Sequence, residues 1–214
     1  MALSTLQKKQ LVAVTGLGLV GFVIAHLTGN FLIFKGADAL NDYAKFLHDL
    51  GGLLWAARIG LIAMFVIHMG LTANLVINKI KARGSNYAKF ENHAQKPSFA
   101  ARIMPFSGVV ILAYVIFHLL DFTFAEKSGI INGVDQGLYG LVVTSFMDPL
   151  HSAIYIIAMA FLGLHLSHSI QSIFQTFGLV SVNRLNTIRT ISTAIGVGIA
   201  VAYSSIPVYV LLNF

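Results

Sequence analysis

The 214 residues include no cysteine. That absence excludes disulfides, thiolate metal sites and iron–sulfur ligation, and it excludes covalently attached haem, which needs a CxxCH run. Charge is also scarce: charged residues make up 10% of the chain and hydrophobic ones 57%. A soluble domain carries roughly 25% charged residues, so this chain has lipid as its solvent for most of its length. The mean hydropathy of +0.79 says the same. The apolar stretches hold no Asp, Glu, Lys or Arg at their centres. That argues against a proton pump or ion-coupled transporter built on carboxylates. The first apolar run, Leu11–Phe34, is too long for the core of a cleavable leader and has no convincing small-x-small cleavage site, so it reads as a retained span.

Five apolar stretches are present, at about 10–34, 53–80, 103–125, 149–178 and 188–212. Each meets the roughly 20 residues that a helix needs to cross the hydrocarbon. Strands of a barrel would show alternating segments of about 10 residues instead. The expected fold is therefore an all-α integral membrane protein, a single domain over 1–214, with a four-helix core and a fifth helix. No internal repeat or low-complexity segment stands out. Charge sets the expected orientation. With the N-terminus inside, ten cations (Lys8, Lys9, Lys79, Lys81, Arg83, Lys89, Lys96, Arg102, Arg184, Arg189) lie inside and four (Lys35, Lys45, Arg58, Lys127) outside. This is the positive-inside pattern. Seven of the eight acids fall outside, and only Glu91 is inside. The basic segment Lys79–Arg102 is a docking surface for a soluble partner or a loop that binds lipid head groups. NDYAKFLHDLGGLLW in the first outer loop reads as a surface helix entering the second span.

What the spans do contain is histidine: His26 in the first, His68 in the second, His118 in the third, and His165 and His168 in the fourth. A single intramembrane histidine is usually a hydrogen-bonded packing residue. Four spans that each carry one form a pattern, because ligation by facing imidazoles needs partners at equal depth. His26 follows Lys9 by 17 residues and His118 follows Arg102 by 16, which sets both about 25 Å from the inner boundary. His68 precedes Lys79 by 11 residues, and His165 and His168 precede Gly178 by 13 and 10. These match one another at a level nearer the inside. Two pairs at two depths suggest two stacked bis-histidine haems of b type, carriers of electrons. Zinc would gather three or four ligands at one point. Gly16, Gly18, Gly21, Gly70, Gly108 and Gly163 flank the ligand positions and either make room for a macrocycle or serve ordinary helix packing. Arg58 outside, and Arg102 and Arg184 inside, are candidate propionate partners or interfacial anchors.

Four segments carry a family resemblance: KKQLVAVTGLGLVGFVIAHLTGNFLIFKG (Lys8–Gly36), LLWAARIGLIAMFVIHMGLTA (Leu53–Ala73), ILAYVIFHLLDF (Ile111–Phe122) and GLHLSHSIQSIFQTFG (Gly163–Gly178). With them the chain resembles the membrane cytochrome b subunit of succinate dehydrogenase/fumarate reductase, in its single-chain, five-helix, di-haem form. The fifth span matches only as a hydrophobic helix. The resemblance implies an anchor for a flavoprotein and an iron–sulfur subunit on the cytoplasmic face of a bacterial-type inner membrane. It implies electron passage between the iron–sulfur clusters, two haems b and a membrane quinone. It pairs His26 with His118 at the distal haem and His68 with a fourth-span histidine at the proximal one.

His165 and His168 lie about 60° apart and one turn apart in height on a helix, so one iron does not take both. The family pattern puts the ligand at His165, which leaves His168 as a neighbour of a propionate or of the pocket's inner end. His48, beside Asp49 in the outer loop, is a candidate proton exchanger for a quinone or a plain surface histidine. His93 and His151 read as interfacial. The catalytic residues of the quinone site are not identified by the sequence, and dicarboxylate chemistry belongs to the soluble partners. Two haems stacked across the bilayer favour menaquinone over ubiquinone. The same wiring serves succinate oxidation and fumarate reduction. Two other readings share some of these features: a di-haem anchor of a hydrogenase or formate dehydrogenase, and a non-redox transporter whose histidines bind metal or shuttle protons.

Overall fold

The first helix begins on a reciprocal cap. The Ser4 hydroxyl accepts from the Gln7 N–H, and the Gln7 side chain accepts from the Ser4 N–H, which satisfies two donors that a helix start leaves stranded. Helix α1 then runs Thr5–Asn30 and closes in a tight turn of 3-10 helix, Phe31–Lys35. This computed structural model describes residues 3–82, 99–125 and 128–214. Arg83, Lys89, Glu91, His93, Lys96, Glu126 and Lys127, with most of the basic segment after Lys81, lie outside the described residues.

After α1 come α2 (Ala37–Asp49), α3 (Gly52–Lys81), α4 (Phe99–Phe122), a short antiparallel ladder of β1 (Ile130–Ile131) and β2 (Val134–Asp135), α5 (Gly137–Phe146), α6 (Pro149–Thr176) and α7 (Leu185–Asn213). The segments Thr5–Lys35, Gly52–Lys81, Phe99–Phe122, Pro149–Thr176 and Val182–Asn213 are long and apolar enough to cross a membrane. The chain is a multi-pass membrane protein of all-α class. Several helices overrun the apolar stretches because polar residues at the membrane surface continue the same backbone hydrogen bonding. The expected surface helix before the second span is present as α2, but it does not run into α3. Gly51 at φ +52° breaks the chain between them, a backbone conformation that residues with a Cβ avoid. Helix α6 starts on Asp148, whose carboxylate accepts from the Leu150 N–H, with Pro149 in the first turn.

Most described cations gather at one end of the bundle and the described acids at the other, where Lys35, Lys45 and Arg58 also lie. Lys8, Lys9, Lys79, Lys81, Arg102, Arg184 and Arg189 sit at what is called here the basic end. Asp38, Asp42, Asp49, Asp135 and Asp148 sit at the other, with Asp121 in the last turn of α4. The main core cluster closes the acidic end, where Ile33, Leu40, Tyr139, Val143, Phe146, Tyr155, Ile206 and Val210 pack together. Asn41 ties α2 to α5, donating to the Gln136 carbonyl (2.9 Å) and accepting from the Tyr139 N–H (3.1 Å).

Within the spans the closest packing is α6 on α7. Between lipid-solvated helices the hydrophobic effect offers little, and close backbone approach between small residues replaces it. Gly163 and Ser167 on α6 face Gly196 and Ala200 on α7. A Cβ on Gly163 would stand 2.8 Å from the Ala200 Cβ and 2.9 Å from the Gly196 carbonyl oxygen. Helix α3 is the opposite case: it buries no residue, and among the spans its substantial packing partner is α1. Helix α4 packs on α6, and α1 also packs on α6. The resulting order of neighbours is α3, α1, α6, α4, with α7 behind α6. The helix pairs α1/α4 and α3/α6 make at most marginal backbone contact.

Candidate functional site

The histidines fall between those two loosely apposed helix pairs. His26 on α1 and His118 on α4 meet ring to ring, with centroids 5.8 Å apart and planes at 80°. Two imidazoles that share one metal ion through bonds of about 2 Å each hold their ring centres roughly 6 Å apart, so this separation leaves room for one ion between the rings. Aromatic rings wall the pair. Phe22 stacks on His26 at 5.3 Å, Tyr114 stacks on His118 at 5.7 Å, and Phe122 lies 5.5 Å from His118. Tyr203 of α7 stands 6.3 Å from His26 and donates to the Val23 carbonyl at 2.6 Å.

His68 on α3 and His165 on α6 lie one level toward the basic end, close enough to each other to interact electrostatically. Each ring is held by a hydroxyl from a helix other than its own. Thr15 Oγ1 is 3.1 Å from His68 Nδ1, and Ser107 Oγ is 3.0 Å from His165 Nδ1. Both hydroxyls already donate to carbonyls of their own helices: Thr15 to Leu11 (2.8 Å) and Val12 (3.1 Å), Ser107 to Met104 (3.0 Å). A hydroxyl has one proton. With that proton committed, its oxygen accepts from the ring, so Nδ1 carries the hydrogen and Nε2 keeps its lone pair. This tautomer is assigned from the network, and it is the form in which a histidine ligates through Nε2 while its other nitrogen is held by a hydrogen bond.

The glycines divide by role. A Cβ on Gly16 would stand a tight 3.2 Å from His68 Cε1, so this glycine gives the ring its room, whereas one on Gly108 would meet His165 Cε1 at an ordinary contact distance of 3.9 Å. Gly21 and Gly70 border open space, whereas Gly18 meets the Met64 side chain and Gly163 packs on α7.

His168 is placed differently from His165. Its Nδ1 is buried without a hydrogen-bond partner among the described residues. It lines a cavity of about 190 Å³ at the basic end with Phe99, Ser167, Gln171, Arg189 and Thr193. Arg189 lines this cavity, whereas Arg102 and Arg184 do not; all three are exposed. Arg58, half-buried near the start of α3, lies over the Trp55 ring at 5.2 Å. His48 is exposed on α2.

A further polar cluster caps the acidic end. Tyr155 donates to Asp121 Oδ2 at 2.7 Å, and His151 Nε2 lies 3.1 Å from the same oxygen. His151 stacks on Tyr155 at 5.0 Å, and Tyr155 also touches His118 at 6.1 Å. His151, at the outer edge of α6, is therefore part of a carboxylate–tyrosine–histidine group. The sequence offered a signal for it: Asp121, near the end of an otherwise uncharged span and one turn beyond His118. No family model, curated protein or solved structure matches this chain, so its functional reading rests on these residues alone.

Proposed function

We propose that the chain is a di-haem cytochrome b, the membrane anchor of a succinate:quinone oxidoreductase in a bacterial-type cytoplasmic membrane. In this reading it carries electrons between an iron–sulfur subunit, bound with its flavoprotein at the basic, cytoplasmic end, and a membrane quinone. The observation that carries the reading is the pairing of four histidines, one from each of four spans, at two levels between helices whose backbones stand apart. His26 with His118, and His68 with His165, would hold two haems b. Bound haem supplies one-electron transfer without a proton or hydride.

The residues of the chain itself supply the rest. Thr15 and Ser107 fix the tautomer of one pair, so its Nε2 lone pairs are available. The aromatic wall around His26 and His118 excludes water from the other pair. At the acidic end Asp121, Tyr155 and His151 gather a carboxylate, a phenol and an imidazole within one contact of His118. Such polar groups beside a redox centre are where a quinone head group would be received. Arg189 and His168 place positive and polar groups at the basic end, where an acidic substituent of the cofactor would point.

The test is a reduced-minus-oxidised visible spectrum with haem quantitation on the chain purified in detergent. The expected outcome is about two non-covalent, low-spin haems b per chain. A colourless protein from cells supplied with haem precursors would overturn the reading and favour a histidine-bearing transporter. Co-purification with a hydrogenase or formate dehydrogenase would keep the haems and change the partner.

A further inference from the structure

The seats of the two inner-level histidines repeat a pattern. On α1 the hydroxyl of Thr15 holds His68 and the adjacent Gly16 clears its ring. On α4 Ser107 holds His165, and the adjacent Gly108 stands against its ring. Each hydroxyl–glycine pair comes from the helix that also carries an outer-level histidine, and the spacing is the same: Thr15 to His26 and Ser107 to His118 are both 11 residues. Eleven residues make just over three turns, so hydroxyl and histidine share one helix face about 16 Å apart. The outer-level pair has no such seat. His118 Nδ1 is buried without a partner, and no hydrogen bond from a hydroxyl reaches His26 among the described residues.

We propose that Thr15 and Ser107 are positioning residues that make the two haem sites chemically unequal. The inference rests on the di-haem reading. By accepting from Nδ1–H, each hydroxyl raises the electron density that His68 or His165 can donate through Nε2. A more strongly donating ligand favours the ferric state and lowers the reduction potential of the inner-level site only. The matched seats also orient both rings before the cofactor arrives, so that site loads more tightly.

The experiment is a redox titration of the complete complex, followed in the visible spectrum and in the low-spin ferric electron paramagnetic resonance, on Thr15→Val and Ser107→Ala. Each variant is expected to weaken the ferric preference of one haem by about tenfold, a rise of ~59 mV for a one-electron couple. Haem retention at that site should fall 10–100-fold, roughly the usual cost of losing such a partner. The second haem is the internal control and should hold its potential. Thr15→Ser and Ser107→Thr keep the acceptor and should restore the wild-type values. Two bound haems with unchanged potentials and resonances in both variants would overturn the proposal, as would an equal shift of both haems. Wild-type protein without haem would instead fail the underlying reading, and is seen before any variant is made.

Discussion

An imidazole has one lone pair to give, and its neighbours decide which nitrogen holds it. For His165 the Ser107 hydroxyl, with its proton turned to the Met104 carbonyl, assigns the lone pair to Nε2. His168, three residues on, has no such partner among the described residues and faces a cavity shared with Arg189. His165→Ala is therefore expected to lose one of two haems while His168→Ala keeps both, measured as haem per chain after purification; the reverse contents would exchange their roles. In the sequence these two histidines differed only by resemblance, since depth and periodicity admitted either. The hydroxyl was not legible as a partner, because Thr15 and Ser107 lie 53 and 58 residues from the rings they hold. Arg102 and Arg184 were plausible cofactor partners by depth alone. That Arg189, and neither of these, lines the cavity beside His168 depends on the rotation of each helix about its axis, which a charge count does not give.

At the scale of elements, the helices were legible because lipid leaves a backbone no other way to satisfy its hydrogen bonds. How they pair was not, because apolar residues face lipid and protein alike. The α6–α7 seam depends on small residues in register. Gly196→Leu would drive a side chain into the Gly163 carbonyl and Ser167, with contacts too close to relieve without parting the helices. A loss of about 1–3 kcal/mol is expected, read as a lower midpoint of thermal unfolding in detergent. Gly198, two residues on, borders open space; Gly198→Ala should be neutral or stabilising by up to about 1 kcal/mol, since alanine favours a helix. Equal effects at the two positions would mean that the seam is not what holds α7. Helix α3 stands at the other extreme: its lack of any buried residue leaves α1 and the His68 contacts to fix its place.

For the whole molecule, the separation of cations from acids predicts an N-terminus inside and a C-terminus outside. An alkaline phosphatase fused after Phe214 should be active, and one fused after Lys81 inactive; the opposite result would invert the bundle and move the partner surface to the other face. The sequence by itself determined the class, the five spans and the four histidine-bearing helices. Composition and span length suffice for these when the solvent is lipid. The two depth levels of the histidines were also countable, because a helix rises by a constant amount per residue. Only the tertiary structure decided which hydroxyls hold which rings, that Gly163 serves α7 rather than the histidine level, and that Asp121, Tyr155 and His151 form one cluster. These depend on which face each helix turns to its neighbours, and between apolar helices in lipid that is fixed by close packing rather than by any pattern along a single chain.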